Sequence, residues 1–211
     1  KINPVSPQYR NELLSPDDYV LPGNTRDMAG VYRSRQADLV GVMNGLDHDI
    51  WNTERDPADP AAPYAYTPFV AKDVREKKPA NKANFQKALG LTIDPDAPMM
   101  YACARLSEQK GFDFVADALE DLLTEFPNAQ FVIMGDSDNS DMGNDLARRF
   151  ADFRARYPGR VWFGPFAGRG GWEHYMGAAA DFVLSPSRFE PAGLAEKKGM
   201  RLGAVPIVRA V

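Results

Sequence analysis

The chain has 211 residues, of which 44% are hydrophobic and 26% are charged, and 29 acidic against 25 basic side chains give a formal net charge of −4. This acidic balance disfavours a nucleic-acid-binding protein, because such proteins present basic surfaces. One cysteine excludes a disulfide within the chain, and two histidines disfavour a His-rich metal site. No apolar stretch approaches the roughly 20 residues that span a membrane, so we expect a cytoplasmic protein with neither membrane nor nucleic acid as a partner.

The first 80 residues show little regular pattern. In chain order the sequence predicts a loop over 1–25, a short helix over 27–37, a strand over 39–43 and an irregular connection over 52–79. The short helix has two candidate caps, Thr25 and Asp27. The Asn44-Gly45 pair is typical of a turn that ends a strand. Five prolines in the connection explain why no periodicity is expected there.

From residue 80 onward strands and helices alternate. Strands are predicted over 99–104, 130–134, 161–163, 182–184 and 205–208, and helices over 82–89, 111–126, 141–157, 171–179 and 191–202. Such alternation predicts an α/β fold, a Rossmann-like parallel sheet with helices on both faces. Ligands of these sheets bind at the carboxyl ends of the strands. The turns at these ends are 105–111, 135–140, 164–171 and 185–193.

Arg105 and Lys110 lie in the turn between an apolar strand and the clearest amphipathic helix. A planar guanidinium fork and a compact ammonium together suit a phosphate or a diphosphate. The alternative is that both are solvated surface cations beside a loop. The residues alone leave these two interpretations open.

A second candidate group follows the predicted strand at 182–184. Its members are Glu190, Pro191, Ala192, Gly193 and Leu194. Pro191 is predicted at the first position of a helix, and the small residues after it would leave backbone N–H groups open to an anion. Glu190 would then suit hydroxyl groups elsewhere on the ligand. The alternative is that Glu190 is a favourable charge at the start of a helix.

Three further positions carry weaker signals. Gly135 opens a Gly-Asp-Ser turn that resembles a nucleotide-contacting turn. His174, on a short predicted helix, is expected to make local hydrogen bonds rather than to act in catalysis. Cys103 lies within an apolar strand, so we expect a buried and unreactive thiol.

The strings ARLSEQKGFD (104–113) and AAADFVLSPSRFEPAGL (178–194) carry a family resemblance, together with VMNGLDHDIWN (42–52) and GMRLGAVPIVR (199–209). The chain resembles the bacterial glycogen synthase and plant starch synthase family. Members are retaining glucosyltransferases of the GT-B architecture, in which two Rossmann-like domains face each other across a cleft. The resemblance implies that residues 1–43 are the tail of the N-terminal domain and that 44–211 form part of the C-terminal, nucleotide-sugar-binding domain.

The resemblance also implies a reaction, the transfer of glucose from ADP-glucose to the non-reducing end of an α-1,4-glucan. Arg105 and Lys110 resemble the pair that neutralises the leaving nucleoside diphosphate, and Glu190 the carboxylate that binds the donor glucose. The 191–194 segment would add backbone contacts to the diphosphate, with Gly135 nearby, and Asn44 resembles a residue of the cleft. No metal and no cofactor is implied.

Two positions depart from the family pattern. Ala192 stands where many relatives have cysteine, and Lys198 stands where many GT-B transferases carry a second acidic residue, eight positions after Glu190. Two alternatives to the leading interpretation stay open. One is another retaining GT-B transferase that uses UDP-glucose, and the other is a non-catalytic module that binds glucan or nucleotide.

The family's N-terminal domain contributes a Lys-x-Gly-Gly-Leu loop and a cleft histidine, and neither is found in this chain. We therefore expect a fragment that is inactive alone and whose partners are a nucleotide-sugar donor, an α-1,4-glucan acceptor and the missing N-terminal domain of the same protein. The resemblance implies a cytoplasmic location, or a plastid if the source is a plant or an alga.

Overall fold

A computed structural model describes residues 1–15, 27–166 and 171–209 of the chain. These residues divide into two compact units. The first unit contains Lys1–Leu46 together with Phe189–Leu194, and the second contains Asp47–Arg188 and Ala195–Ala210. The predicted domain boundary between residues 43 and 44 stays a prediction, and a short segment near residue 190 is grouped with the first unit.

The first unit contains a helix where the sequence predicts only loop. Helix α1 spans Pro7–Leu14. Ser6 caps it, because its Oγ accepts a hydrogen bond from the backbone N–H of Tyr9 at 2.9 Å, and Pro7 occupies the first turn, where a missing N–H costs nothing. The loop prediction for 1–25 is therefore wrong over this stretch, and its remaining part from residue 16, with Thr25, lies outside the described residues.

Two other predictions for the first unit are corrected in detail. Helix α2 is shorter than predicted, spanning Ala29–Ser34, and Met28 rather than Asp27 is its N-cap. The predicted strand over 39–43 is reduced to a single parallel bridge between Leu39 and Ile2. The stretch runs beside a segment that contains Pro4, and proline lacks the N–H needed to continue a ladder of hydrogen bonds.

The second unit confirms the predicted parallel α/β fold. Its strands are β1 (Met99–Cys103), β2 (Gln130–Met134), β3 (Val161–Gly164), β4 (Phe182–Ser185) and β5 (Val205–Val208). The helices that follow along the chain are α3 (Val74–Leu89), α4 (Phe112–Glu125), α5 (Asp141–Arg156), α6 (Trp172–Ala179) and α7 (Leu194–Arg201). In the described part all five strands are parallel, in the order β3-β2-β1-β4-β5. None of the helices in these ranges is long and apolar enough to cross a membrane.

Both faces of the sheet are covered along β2, which explains the apolar run that follows Gln130 in this strand. Successive side chains of a strand point to opposite faces. Phe131 and Ile133 pack in one cluster with residues of α4 and α5, whereas Val132 and Met134 pack in the other with residues of α3 and α6. The buried Gln130 is the polar exception, and its side chain accepts from Gln86 and donates to the carbonyl of Thr92.

The irregular connection after residue 52 completes the second cluster and ends earlier than predicted. Tyr64, Tyr66 and Phe69 are buried in that cluster. Asn81 anchors the connection to α3, since its side chain both accepts from the backbone N–H of Thr67 at 2.8 Å and donates to its carbonyl at 2.9 Å. Helix α3 already begins at Val74 and contains Pro79, so the prediction of helix from residue 82 misses its first two turns.

Candidate functional site

The two loops that carry the sequence motifs leave neighbouring strands at the carboxyl edge of the sheet. Tyr101 of β1 pairs with Val183 of β4. The loop 104–111 follows β1, and the loop 186–188 follows β4. Because parallel strands end at the same edge, the topology brings these two loops side by side, at the place where sheets of this kind bind ligands.

Backbone contact between the two loops depends on a glycine. Gly111 has a φ of +67°, in the left-handed region. A Cβ at this position would lie 2.1 Å from the carbonyl oxygen of Pro186. Any side chain is therefore excluded at residue 111, both by the conformation and by the close approach.

Arg188 makes four hydrogen bonds, two to the loop after β1 and two to the first turn of α4. Its backbone N–H donates to the carbonyl of Gln109 at 2.8 Å, and its Nη1 donates to the carbonyl of Glu108 at 3.0 Å. Its guanidinium also pairs with both carboxylate oxygens of Asp113, at 2.6 Å and 2.5 Å. The guanidinium lies 4.3 Å from the ring centroid of Phe114.

The Arg188–Asp113 pair is half-buried at both partners. The hydrogen bonds from Arg188 are the main cause that lowers the pKa of Asp113, and the carboxylate in turn raises the pKa of Arg188. Both groups are therefore charged across the neutral pH range, and each neutralises the other. A bidentate pair of this kind fixes orientation as well as distance.

Arg105 and Lys110 both lie on the loop that Arg188 holds. Lys110 is half-buried and ends the 3₁₀ turn Glu108–Lys110. Arg105 is exposed. Hydrogen bonds from Ser140 are the main cause that lowers the pKa of Asp138, and the positive charge of Arg105 lowers it further. The structure thus places the two predicted cations on one turn at the carboxyl edge of the sheet.

The turn after β2 lies beside the loop that carries Arg105. Leu106 forms an isolated parallel bridge with Ser137, and its N–H donates to the carbonyl of Asp136 at 2.8 Å. A Cβ on Gly135 would lie 2.3 Å from the carbonyl oxygen of Ala104. Close packing therefore accounts for glycine at position 135, and its contact with a ligand stays a prediction.

Glu190, Ala192 and Leu194 are grouped with the first unit, as is the exposed Asn44. Within that unit Phe189 makes an edge-to-face contact with Tyr9, with ring centroids 5.7 Å apart. The predicted roles of these residues toward a ligand stay predictions.

The prediction that Pro191 is the first residue of a helix is wrong. Gly193 has a φ of +59°, which a right-handed helix does not permit. Helix α7 therefore begins only at Leu194. The N–H groups of Ala192 and Gly193 belong to a turn that precedes the helix rather than to its first turn.

Sequence reasoning assigned no role to Arg188 and Asp113, although both lie inside the motif strings. The sequence feature that could have identified this pair is the opposite charge of the two residues, one in each motif string. Lys198 is a second case. Where other transferases carry an acid, it donates to Glu173 at 2.7 Å and lies 4.4 Å from the ring centroid of Trp51.

Two expectations about reactive side chains can be compared with the structure. Cys103 is half-buried rather than fully buried, and desolvation by its surroundings still raises the pKa of the thiol well above its usual value, so the thiol stays protonated at neutral pH. Within the described ranges, no three His, Cys, Asp or Glu side chains are arranged to hold a metal ion.

A parallel sheet flanked by helices, with the motif loops at its carboxyl edge, defines an α/β domain of the class whose ligands bind at that edge. Comparison with known proteins identifies relatives of this domain. The chain is 34% identical over 99% of its length to a glycogen synthase of Roseobacter denitrificans, and 38% identical over 98% of its length to one of Anaeromyxobacter dehalogenans. It spans 39% of the length of each of these relatives.

The fold matches a solved starch synthase structure as well. The catalytic domain of starch synthase IV from Arabidopsis thaliana, bound to ADP and acarbose, superposes with a TM-score of 0.79 at 27% identity, over 98% of this chain and 38% of that one. No protein-family profile matches the chain. The resemblance to the bacterial glycogen synthase and plant starch synthase family is therefore confirmed, and the sheet is that of a GT-B glycosyltransferase domain.

Proposed function

We propose that this chain supplies the donor-binding half of a retaining glucosyltransferase, which moves glucose from ADP-glucose to the non-reducing end of an α-1,4-glucan. The observation that carries the proposal is the turn with Arg105 and Lys110, held against the loop after β4 by Arg188. The chain matches relatives named glycogen synthase over nearly its whole length, and this similarity supports the same reaction.

The proposed chemistry is electrostatic. As the bond between glucose and the nucleotide breaks, negative charge grows on the leaving diphosphate. Arg105 and Lys110 would stabilise that charge, and fixed charges aimed at a transition state usually contribute more to catalysis than any other single effect. Protein cations then take the part that a metal ion plays in other phosphate chemistry, so the proposal includes neither metal nor cofactor.

Other predicted residues would act on the rest of the donor. Glu190 would accept hydrogen bonds from the glucose hydroxyls and orient the sugar. The N–H groups of Ala192, Gly193 and Leu194 would add to the diphosphate site, while Pro191 has no N–H to offer. Asn44 would lie at the cleft.

Transfer itself is proposed to need more than this chain. Residues 1–43 would be the tail of an N-terminal domain, whose main part would supply the opposite wall of the cleft and contacts to the glucan. In an assay with labelled ADP-glucose and glycogen, we expect residues 1–211 alone to show no turnover. Turnover above the level of a Glu190→Ala control would contradict this division of labour.

Nucleotide binding by the 211-residue chain tests the donor site directly. We expect calorimetric titration to give tighter binding for ADP than for UDP, and Lys110→Met to weaken ADP binding about tenfold or more, because hydrogen bonds to charged groups contribute about 1.5–3 kcal/mol. Lys87→Met is the matched control, since Lys87 is an exposed lysine at the end of α3. Tighter binding of UDP would favour the UDP-glucose transferase, and an unchanged affinity in Lys110→Met would contradict the site.

A further inference from the structure

We propose that Arg188 is a positioning residue, which holds Lys110 in place for the donor diphosphate without contacting the diphosphate itself. The inference rests on the proposed function, since it assigns a task to the turn that carries Lys110. It starts from the four hydrogen bonds that Arg188 makes, two to the loop after β1 and two to Asp113 in the first turn of α4.

The contacts fall directly before Lys110 in the chain. Arg188 binds the carbonyls of Glu108 and Gln109, which are the first two residues of the 3₁₀ turn that Lys110 ends. Gly111, the next residue, is fixed by its close approach to the loop after β4. The backbone is thus held on both sides of Lys110, so the direction of its side chain depends on Arg188.

The charge of Arg188 is not available to a ligand in the way that the charge of Arg105 is. Both carboxylate oxygens of Asp113 accept from its guanidinium, and the ring of Phe114 covers one face of it. By contrast, Arg105 is exposed, and it takes part in none of the ion pairs found among the described residues. Replacing Arg188 should therefore act through geometry, whereas replacing Arg105 should act through charge.

Lysine at position 188 is the informative substitution. It keeps the positive charge, but its single ammonium lacks the planar fork that bonds two carboxylate oxygens and a carbonyl at once. The backbone bond from residue 188 to Gln109 is available to any residue other than proline. Arg188→Lys therefore removes the fork and little else.

The chain offers a matched control on the same helix. Asp113 and Asp117 lie one turn apart on α4. Asp117 pairs with Arg149 of α5 at 2.6 Å, and the Arg149 side chain is 33% exposed against 26% for Arg188. Arg149→Lys thus disturbs another arginine–aspartate pair, one with a single hydrogen bond and a more exposed carboxylate, whose partners both lie outside the turn.

Amide hydrogen exchange tests the geometry without any ligand. The N–H groups of Lys110 and Gly111 donate to carbonyls within the turn, at 3.1 Å and 3.2 Å. We expect Arg188→Lys to raise the exchange rates of these two amides about tenfold, since local opening governs the exchange of such groups. Arg149→Lys should leave both unchanged. Unchanged rates in Arg188→Lys would overturn the inference.

A double-mutant cycle tests the coupling to Lys110. In the otherwise wild-type chain, Arg188→Lys should weaken ADP binding about tenfold, as expected when a charge-assisted contact is misplaced. In a Lys110→Met background, Arg188→Lys should not weaken ADP binding further, because the ammonium that Arg188 positions is absent. Equal losses in both backgrounds would show a merely structural role and would overturn the inference.

Two further outcomes are distinguishable. If Arg188→Lys fails to fold, Asp113→Asn takes its place in both measurements, since it removes the charge that holds the fork and keeps the shape of the side chain. If the wild-type chain binds neither ADP nor UDP, the proposed function is contradicted. The amide measurement then decides separately whether Arg188 holds the turn.

Discussion

Gly111→Ala is expected to lower the free energy of unfolding by about 2–5 kcal/mol. A left-handed backbone conformation costs about 1–2 kcal/mol for a residue with a Cβ, and forcing an atom into occupied space costs about 1–3 kcal/mol. Both costs apply here, because Gly111 has a φ of +67° and its Cβ would lie 2.1 Å from the Pro186 carbonyl oxygen. Urea unfolding of Gly111→Ala measures the sum.

Gly90 separates the two contributions. It has nearly the same conformation, with a φ of +70°, at the end of α3, and a Cβ there would meet no atom within 4 Å. Gly90→Ala should therefore cost only the conformational part, about 1–2 kcal/mol. Equal losses in the two variants would mean that the loops after β1 and β4 can separate freely, which would also weaken the case that the turn before Gly111 is rigid.

β2 was predictable because it is buried on both faces, whereas β5 was predictable from its apolar sequence alone, since three of its four residues are exposed. β2 and β5 have the predicted bounds, 130–134 and 205–208. Each is a short apolar run between turn residues, and a parallel sheet demands just such a run. Because each strand is a short apolar run, the alternation of strands and helices could be predicted from the sequence.

The helices that were missed lack an apolar stripe. α1 and the first half of α3 are rich in polar residues and contain proline, so neither shows the spacing that predicts a helix. The available signal for α1 was local, the Ser6-Pro7 pair that caps it. For the first half of α3 no local feature indicates the helix, because its buried polar side chains are hydrogen-bonded only to residues distant in the sequence. One of them is Lys78, which donates to the carbonyls of Gly177 and Gly203.

The site was only half predictable, for a topological reason. The motif strings identify Arg105 and Lys110 without any structure. The contact of Arg188 with Asp113 needs β1 beside β4, and strands that are not consecutive become neighbours only through the order β3-β2-β1-β4-β5. The same limit applies to Trp51, which meets Lys198 from nearly 150 residues away along the chain.

His174 shows most clearly how tertiary surroundings change the expected behaviour of a residue. The ring is 5% exposed and stacks against Trp51, with centroids 6.1 Å apart. Within the described part of the chain its Nε2 has no hydrogen-bond partner. Burial lowers the pKa of His174 to about 4, although a backbone hydrogen bond with Ile50 and the negative charge of Asp56 oppose the shift.

This lowered pKa predicts a loss of stability in mild acid. Between pH 6.5 and about 4 the unfolded chain takes up a proton at His174 and the folded chain does not, so unfolding becomes easier as the pH falls through this window. The full effect, reached near pH 4, is about 3 kcal/mol, since one pKa unit corresponds to about 1.4 kcal/mol. Urea unfolding at a series of pH values from 4 to 7 measures it.

His174→Phe isolates the effect from the titration of carboxylates in the same window. Phenylalanine keeps a flat ring against Trp51 and Tyr66 but binds no proton, so the variant should lose less stability than the wild type as the pH falls. The loss of the bond to Ile50 shifts its stability at every pH and leaves the slope unaffected. Parallel slopes for wild type and His174→Phe would show that the folded chain can protonate His174, and that its pocket opens to water before the unit unfolds.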